Sequence, residues 1–325
     1  MRNSNGSKPV IALAMGDPAG ISPELTAKLV ALDEARRAAR IVVIGDRRVY
    51  DEGAKIAKTS ASPDEFVDLK HLDPAAIKRG VASKEGGACA LANYRQALRM
   101  VADGKADAVC FTPFNKQAMR LAHPSYDDEI GFTAGVLGFK GRATEFNILE
   151  GLWNARVTSH IPLAKVSSSL SVDAIVEALE LTANALRAAG FESPRIGVAA
   201  LNPHAGDGGN FGREEIDIIE PAVKKAKARG LPADGPYPAD TVFVRAKGGQ
   251  FDAVLTMYHD QGQIAMKLMG FDRGVTLLGG FPFPICTPAH GTAYDIAGKG
   301  IANIGASRAA LLLAAEMAAR TAKVT

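Results

Sequence analysis

The sequence contains few cysteines, only three among its 325 residues. Cys89, Cys110 and Cys286 show no paired spacing, which argues against a disulfide framework. Free thiols of this kind are typical of a reducing compartment, so we expect a cytoplasmic protein.

Long apolar runs are also missing. The longest uncharged stretch, residues 274–294, holds four glycines and three prolines and therefore cannot form a membrane-spanning helix. The apolar run at the start, "VIALAM", has six residues and is too short for the core of a signal peptide. We therefore expect no membrane association.

Excess charge of one sign is absent as well. The chain has 38 basic and 35 acidic side chains, a net charge of +3, which argues against a nucleic-acid partner. Neither a G-x-G-x-x-G fingerprint nor a P-loop occurs, so no standard nucleotide-binding loop can be assigned.

Short apolar runs alternate with segments of helical periodicity through most of the chain. "PVIALAM" (9–15) predicts a strand, and residues 23–39 predict a helix with Ser22 as its N-cap. This alternation predicts an α/β fold with a largely parallel or mixed sheet. Polar clusters follow many of these strands directly, where α/β sheets bind their ligands.

Three histidines follow strand-like or turn-like segments: His160, His204 and His259. Neutral imidazole is a common ligand of divalent metals, so the three could form a metal site. The alternative is that each is a capping or hydrogen-bonded loop histidine. Asp260, next to His259, is placed to orient that imidazole.

Two glycine-rich segments, residues 204–215 and 289–303, allow close approach of the backbone to a ligand. Either could equally be a turn that needs positive φ angles. The segments "MGDPAGISPE" (15–24) and "TPFNK" (112–116) are two further candidate sites at strand ends, or else ordinary exposed loops.

Taken together, the motifs resemble one family. "GDPAGISPE", "LNPHAGDGGNFGREE", "PADT", "MYHDQG" and "HGTAYDIAGKG" occur in the order found in the 4-hydroxythreonine-4-phosphate dehydrogenase family, whose members act in pyridoxal phosphate synthesis. The resemblance covers nearly the whole chain. It implies a fold like that of isocitrate and isopropylmalate dehydrogenases, with two domains, mixed parallel sheets, flanking helices and an active site in the interdomain cleft.

The resemblance also implies domains and cofactors. We expect a discontinuous NAD-binding domain (1–130 plus 280–325) and a substrate, metal and dimerisation domain (131–279). NAD or NADP would bind at His290, Gly291, Thr292, Ala293, Asp295 and Asn303. The three histidines would bind Zn, Mn, Co, Ni or Mg in a homodimer whose active site is shared, with the third ligand contributed by the other subunit.

The substrate positions depart from the family pattern. Phe132 replaces a histidine beside Thr133, and Thr276 and Ile285 stand where the family has asparagine and arginine. These losses favour a less charged substrate. They also resemble the replacements of the terephthalate cis-dihydrodiol dehydrogenase branch of the family, so the main expectation is a cis-dihydrodiol carboxylate such as terephthalate 1,2-cis-dihydrodiol. The alternatives are 4-hydroxythreonine 4-phosphate itself and, outside enzymes, a non-catalytic NAD- or metal-binding protein.

The expected reaction is an NAD-linked oxidation of an alcohol followed by decarboxylation. Lys267 would bind the substrate carboxylate or transfer a proton. Asp240 and Asp260 would orient the metal ligands.

Overall fold

The computed structural model describes residues 8–149 and 151–324. Its strands are β1 Val10–Ala14, β2 Arg40–Gly45, β3 Glu65–Asp68, β4 Ala108–Phe111, β5 Thr144–Leu149, β6 Leu152–Arg156, β7 Ile196–Ala199, β8 Ala233–Tyr237, β9 Ala253–Thr256, β10 Val275–Gly279 and β11 Ile285–Pro288. Its α-helices are α1 Ser22–Ala31, α2 Asp33–Ala38, α3 Arg47–Ile56, α4 Lys84–Ala102, α5 Lys116–Ala122, α6 Glu129–Leu137, α7 Val166–Ser169, α8 Val172–Ala188, α9 Glu220–Ala228, α10 Ala239–Lys247, α11 His259–Gly270 and α12 Gly305–Val324. The predicted α/β class with a mixed sheet is confirmed.

The chain divides into two compact units. The first runs to Ala143 and resumes at Asp272, and the second is Thr144–Phe271. The sequence predicts one domain boundary between residues 130 and 131, which lies inside α6. It predicts the other between residues 279 and 280, directly after β10. Residues 1–7 and 325 of the predicted NAD-binding domain lie outside the described residues. The functional roles assigned to the two domains stay predictions.

The first unit contains the strand order β3-β2-β1-β4-β11-β10. All neighbours pair in parallel except β10 and β11, which are antiparallel. The core between the sheet and α4 contains an aromatic cluster in which Tyr94 contacts Phe111 and Phe114, with ring centroids at 4.8 and 5.3 Å.

The second unit contains the order β5-β6-β9-β7-β8. β6, β9, β7 and β8 are parallel, and β5 is antiparallel to β6. Because parallel strands end at the same edge, the segments after β6, β9 and β7 emerge together. Those segments carry His160, His259 and His204.

The first predicted helix differs from the structure. Residues 23–39 form two helices, because Leu32 is extended (φ −74°, ψ 120°) between α1 and α2. Ser22 begins α1 without capping it, and its hydroxyl donates to the Pro113 carbonyl at 2.7 Å. Within the described ranges, no helix has the length and apolar character needed to cross a membrane.

Candidate functional site

His259 begins α11 directly after the buried strand β9. Its Nδ1 lies 2.6 Å from Asp260 Oδ1, an arrangement that fixes the imidazole and leaves Nε2 for a ligand. Gln261 holds this turn: its amide oxygen accepts from Met257 N at 2.7 Å, and its amide nitrogen donates to the Ala200 carbonyl at 2.7 Å. The second bond ties the His259 turn to the end of β7.

His160 lies beside His259. The backbone N–H and the hydroxyl of Thr158 both donate to the Met257 carbonyl, at 3.1 and 2.8 Å, and align the two segments. As a result the His160 and His259 rings have centroids 5.7 Å apart. The structure therefore brings together two of the three predicted metal ligands within one chain.

His204 is held in a strained turn. His204, Ala205 and Asp207 have left-handed φ angles of 53°, 55° and 45°. The buried Glu215 carboxylate stabilises the start of this turn by accepting from the backbone N–H groups of Leu201 and Asn202, both at 2.8 Å. The strain is maintained by a buried anchor, as expected where the position of one side chain matters.

The donor chemistry fits a divalent metal. Two imidazoles lie close together, and a carboxylate sets the orientation of one of them. Within the described ranges of a single chain, however, no three histidine, cysteine, aspartate or glutamate side chains form a complete metal site.

Lys267 and Asp240 lie in the same unit as the histidines. Lys267 is exposed on α11, eight residues after His259 and thus near the same helix face. Asp240 is exposed in the first turn of α10. Their proposed roles stay predictions.

The predicted cofactor loop lies in the first unit and is fixed by the segment after β1. Tyr294 donates its hydroxyl to Asp17 Oδ2 at 2.5 Å, and Ile21 N donates to the Thr292 carbonyl at 3.0 Å. Gly20 is necessary here, because a Cβ at this position would come within 2.7 Å of Thr292. The segment 15–24 and the glycine-rich segment 289–303, both singled out in the sequence, therefore form one structure.

The far end of the same loop is fixed by α1. Glu24 accepts from Ala302 N at 2.9 Å, and Lys28 donates to the carbonyls of Gly300 and Ala302 at 3.2 and 2.8 Å. Among the other predicted cofactor residues, Asn303 accepts from Gly305 N at 2.8 Å, and the His290 Nδ1 is 3.0 Å from the Gly291 carbonyl. Asp295 and Gly291 are exposed, and Ala293 is left-handed with φ 42°.

Asp17 is a buried charged group of this arrangement, with 1% of its surface exposed. Burial raises the pKa of its carboxyl, while the bonds from Tyr294 and from the Ala19 N–H act in the opposite direction. Burial and the Asp17 carboxylate also raise the pKa of Tyr294. Tyr294 therefore stays a hydrogen-bond donor at neutral pH.

Apart from Lys267, the predicted substrate residues lie in the first unit, and two of them are in its core. Ile285 is 0% exposed on β11, and Thr133 is 0% exposed with its hydroxyl 2.6 Å from that of Tyr94. Phe132 stacks on Tyr94, with centroids 5.8 Å apart. Thr276 is half-buried on β10. In "TPFNK", Asn115 caps α5 by accepting from Ala118 N at 2.9 Å.

Sequence reasoning missed Tyr294, Glu215 and Gln261. Each acts through a backbone or carboxylate partner outside its own motif or turn, 277 residues away for Tyr294, 61 for Gln261 and 13 to 14 for Glu215. Their position inside or next to the recognised motifs was the only local signal.

Comparison with known proteins places the chain in a family. The model of "Pyridoxal phosphate biosynthetic protein PdxA" matches residues 37–314. A protein of Rhizobium meliloti (strain 1021) named "Putative 4-hydroxythreonine-4-phosphate dehydrogenase 2" is 64% identical, over 96% of this chain and 94% of its own.

Solved structures agree with that placement. The 4-hydroxythreonine-4-phosphate dehydrogenase of Klebsiella pneumoniae has a TM-score of 0.83 at 34% identity, covering 97% of this chain and 99% of its own. The terephthalate 1,2-cis-dihydrodiol dehydrogenase of Burkholderia xenovorans LB400 has a TM-score of 0.66 at 29% identity, covering 93% and 98%. These likenesses confirm the predicted dehydrogenase fold.

The main substrate prediction, a cis-dihydrodiol carboxylate, is wrong; the comparisons support the alternative, 4-hydroxythreonine 4-phosphate. The error has a physical reason. Ile285 is fully buried on β11, so its apolar character reflects packing in the first unit.

The similar proteins are dehydrogenases, which supports an oxidoreductase that acts on a CH–OH group. On the ordered motifs, the family match and the identity to its relatives, the chain belongs to the PdxA family of 4-hydroxythreonine-4-phosphate dehydrogenases.

Proposed function

We propose that this protein is an NAD-linked, divalent-metal-dependent dehydrogenase that oxidises 4-hydroxythreonine 4-phosphate. The C3 hydroxyl loses its proton and C3 loses a hydride to NAD, which gives a ketone β to the carboxylate. The bond between C2 and that carboxylate then breaks and releases CO₂, and the electron pair left on the C2–C3 enolate takes up a proton at C2. The proposal of metal dependence is supported by the pair of neighbouring imidazoles, His160 and His259.

His160, His204 and His259 would hold the metal, and imidazole ligands suit zinc, cobalt, nickel or manganese, with magnesium a further candidate. When bound, such an ion lowers the pKa of a coordinated hydroxyl and withdraws charge from a neighbouring carbonyl. Asp260 contributes by holding the His259 Nδ1 at 2.6 Å and so fixing the ring. Asp240 is proposed to support the ligands in a similar way.

Lys267 is proposed to bind the substrate carboxylate or to move a proton. Its place on α11, two turns after His259, supports this role because residues so spaced lie near one face of a helix. An exposed ammonium can also attract the negatively charged substrate.

The loop 289–303 is proposed to bind NAD, or NADP. The Asp17–Tyr294 and Glu24–Ala302 contacts support this, because they fix both ends of a glycine-rich segment before any ligand arrives. A loop ordered in advance loses less conformational entropy on binding.

A homodimer is proposed to complete the metal site. Exposed large apolar side chains are frequent in the second unit, on the segments that carry the histidines: Ile161, Leu163, Phe211, Ile216, Ile264 and Leu268, with Leu268 84% exposed. Such a concentration is typical of a protein interface. The incomplete ligand set of one chain is consistent with a contribution from its partner.

A cytoplasmic location is also proposed. Cys89, Cys110 and Cys286 are free thiols and are buried. Burial raises the pKa of Cys89 and Cys110 to about 12, which keeps them protonated and unreactive.

Metal-dependent formation of NADH tests this function. Enzyme stripped with a chelator should not oxidise 4-hydroxythreonine 4-phosphate, and Zn²⁺ or Mn²⁺ should restore turnover, with one CO₂ released per NADH. Full turnover after chelation would refute the role of the metal. NADH without CO₂ would refute the decarboxylation.

A further inference from the structure

The first unit contains a cavity of about 460 Å³ beside α4 and α6. Its lining includes Arg95 and Arg99 of α4, His123 at the end of α5, and Phe132 and Val136 of α6. Its volume is in the range of small-molecule sites and exceeds what a lone inorganic anion fills.

The cavity has a positively charged side. Arg95 and Arg99 are one helical turn apart, and like charges at this spacing repel each other. The Arg95 guanidinium lies 5.3 Å from the Phe132 ring centroid. Among the residues that the structure describes, neither arginine forms an ion pair with a carboxylate. A bound anion would neutralise both.

Two glycines of α6 keep the cavity open. Gly131 and Gly135 line it one turn apart within the helix. Glycine inside a helix destabilises the helix relative to alanine, so two glycines within α6 require an explanation. No atom lies within 4 Å of a Cβ built at Gly135, so packing inside the described chain does not supply that reason. A side chain there would instead project into the cavity.

The remaining lining combines an apolar floor with polar groups. The Phe132 ring is held by Tyr94 and meets the His123 ring edge-on, with centroids 6.4 Å apart. Ser125 Oγ is 3.2 Å from His123 Nε2, and Asp127 adds one negative charge to the rim. Flat apolar contact beside two guanidiniums suits a ring that bears a strongly charged anion.

We propose that this cavity binds a phosphate monoester of a small ring compound, with its phosphate beside Arg95 and Arg99 and its ring against Phe132 and Val136. Guanidinium groups bind phosphate through paired charge-assisted hydrogen bonds. The proposed ligand differs from the substrate of the dehydrogenase activity proposed above, although Phe132 is also one of the predicted substrate residues. A titration without NAD or substrate tests it whether or not that activity is found.

Isothermal titration of the full-length protein with pyridoxine 5′-phosphate is the test, because this probe has a ring and a phosphate but no reactive aldehyde. The wild type should bind it, with pyridoxine and inorganic phosphate each at least about tenfold weaker. Arg99→Gln should weaken binding about tenfold or more, as expected for a lost charge-assisted bond. Gly135→Leu should abolish binding by filling the cavity, with an unchanged or higher melting temperature.

Arg187→Gln is the matched control, since Arg187 is an exposed arginine in the last turn of another helix, α8. It should bind like the wild type. Unchanged affinity in Arg99→Gln and Gly135→Leu would overturn the proposal, as would inorganic phosphate binding as tightly as the ester. A change of oligomeric mass in Gly135→Leu during sedimentation would also overturn it, because the cavity would then be a contact between copies.

Discussion

His259→Ala is expected to lower kcat/KM for 4-hydroxythreonine 4-phosphate by about a thousandfold and to abolish tight metal binding. A metal ion held by this imidazole would lower the pKa of the substrate hydroxyl, an effect worth several kcal/mol, and each 1.36 kcal/mol is about tenfold in rate. Removing this imidazole leaves His160 without the ring 5.7 Å away. Steady-state NADH formation and calorimetric Zn²⁺ titration measure the two effects.

Asp260→Asn and His71→Ala calibrate that result. Asp260→Asn keeps the ligand but weakens its orientation, so a loss of about 10- to 100-fold is expected. His71 is a histidine of the first unit, where its Nε2 is 3.4 Å from the Cys89 carbonyl, and its replacement should leave metal affinity unchanged. If His259→Ala bound Zn²⁺ as the wild type does, His259 would not be a ligand.

Tyr294→Phe is expected to raise KM for NAD about tenfold while kcat changes less than about twofold. The variant removes the 2.5 Å bond to the buried Asp17 carboxylate and with it one anchor of loop 289–303. Leaving a buried acceptor without its donor costs about 1–3 kcal/mol, with about 1.4 kcal/mol per tenfold in affinity. NAD titrations at saturating substrate measure the change in KM for NAD and the change in kcat separately.

Tyr50→Phe is the matched control for Tyr294→Phe. It also removes a hydroxyl bonded inside the first unit, in this case to the Ala61 carbonyl at 3.0 Å. A comparable loss of thermal stability with no change in KM for NAD is expected. Equal changes of KM for NAD in both variants would show that the Tyr294 hydroxyl acts only through the stability of the fold.

The sequence was sufficient to predict where the candidate metal ligands lie. Buried strands followed at once by polar residues predict ligand sites at the carboxyl edge of a parallel sheet. The structure places the segments of His160, His204 and His259 at the ends of β6, β7 and β9. A buried apolar strand followed by polar residues is a local sequence pattern, so it can be recognised without knowledge of the tertiary packing.

Features set by tertiary contacts could not be predicted in this way. The hydroxyl of Tyr294 meets Asp17 across 277 residues, and no local pattern pairs them. Ile285 occupied a family substrate position, yet its side chain is fully buried. Residue type alone does not distinguish a pocket wall from a core position, and the dihydrodiol prediction failed for that reason.

The most direct test of the proposed function is the ratio of kcat/KM for 4-hydroxythreonine 4-phosphate to that for unphosphorylated 4-hydroxythreonine, measured as NADH formation with Zn²⁺ or Mn²⁺ present. A substrate site that binds the phosphate through two charge-assisted hydrogen bonds, at about 1.5–3 kcal/mol each, would give a ratio of at least about 100. A ratio near one, or no NADH from either compound, would contradict the proposed substrate.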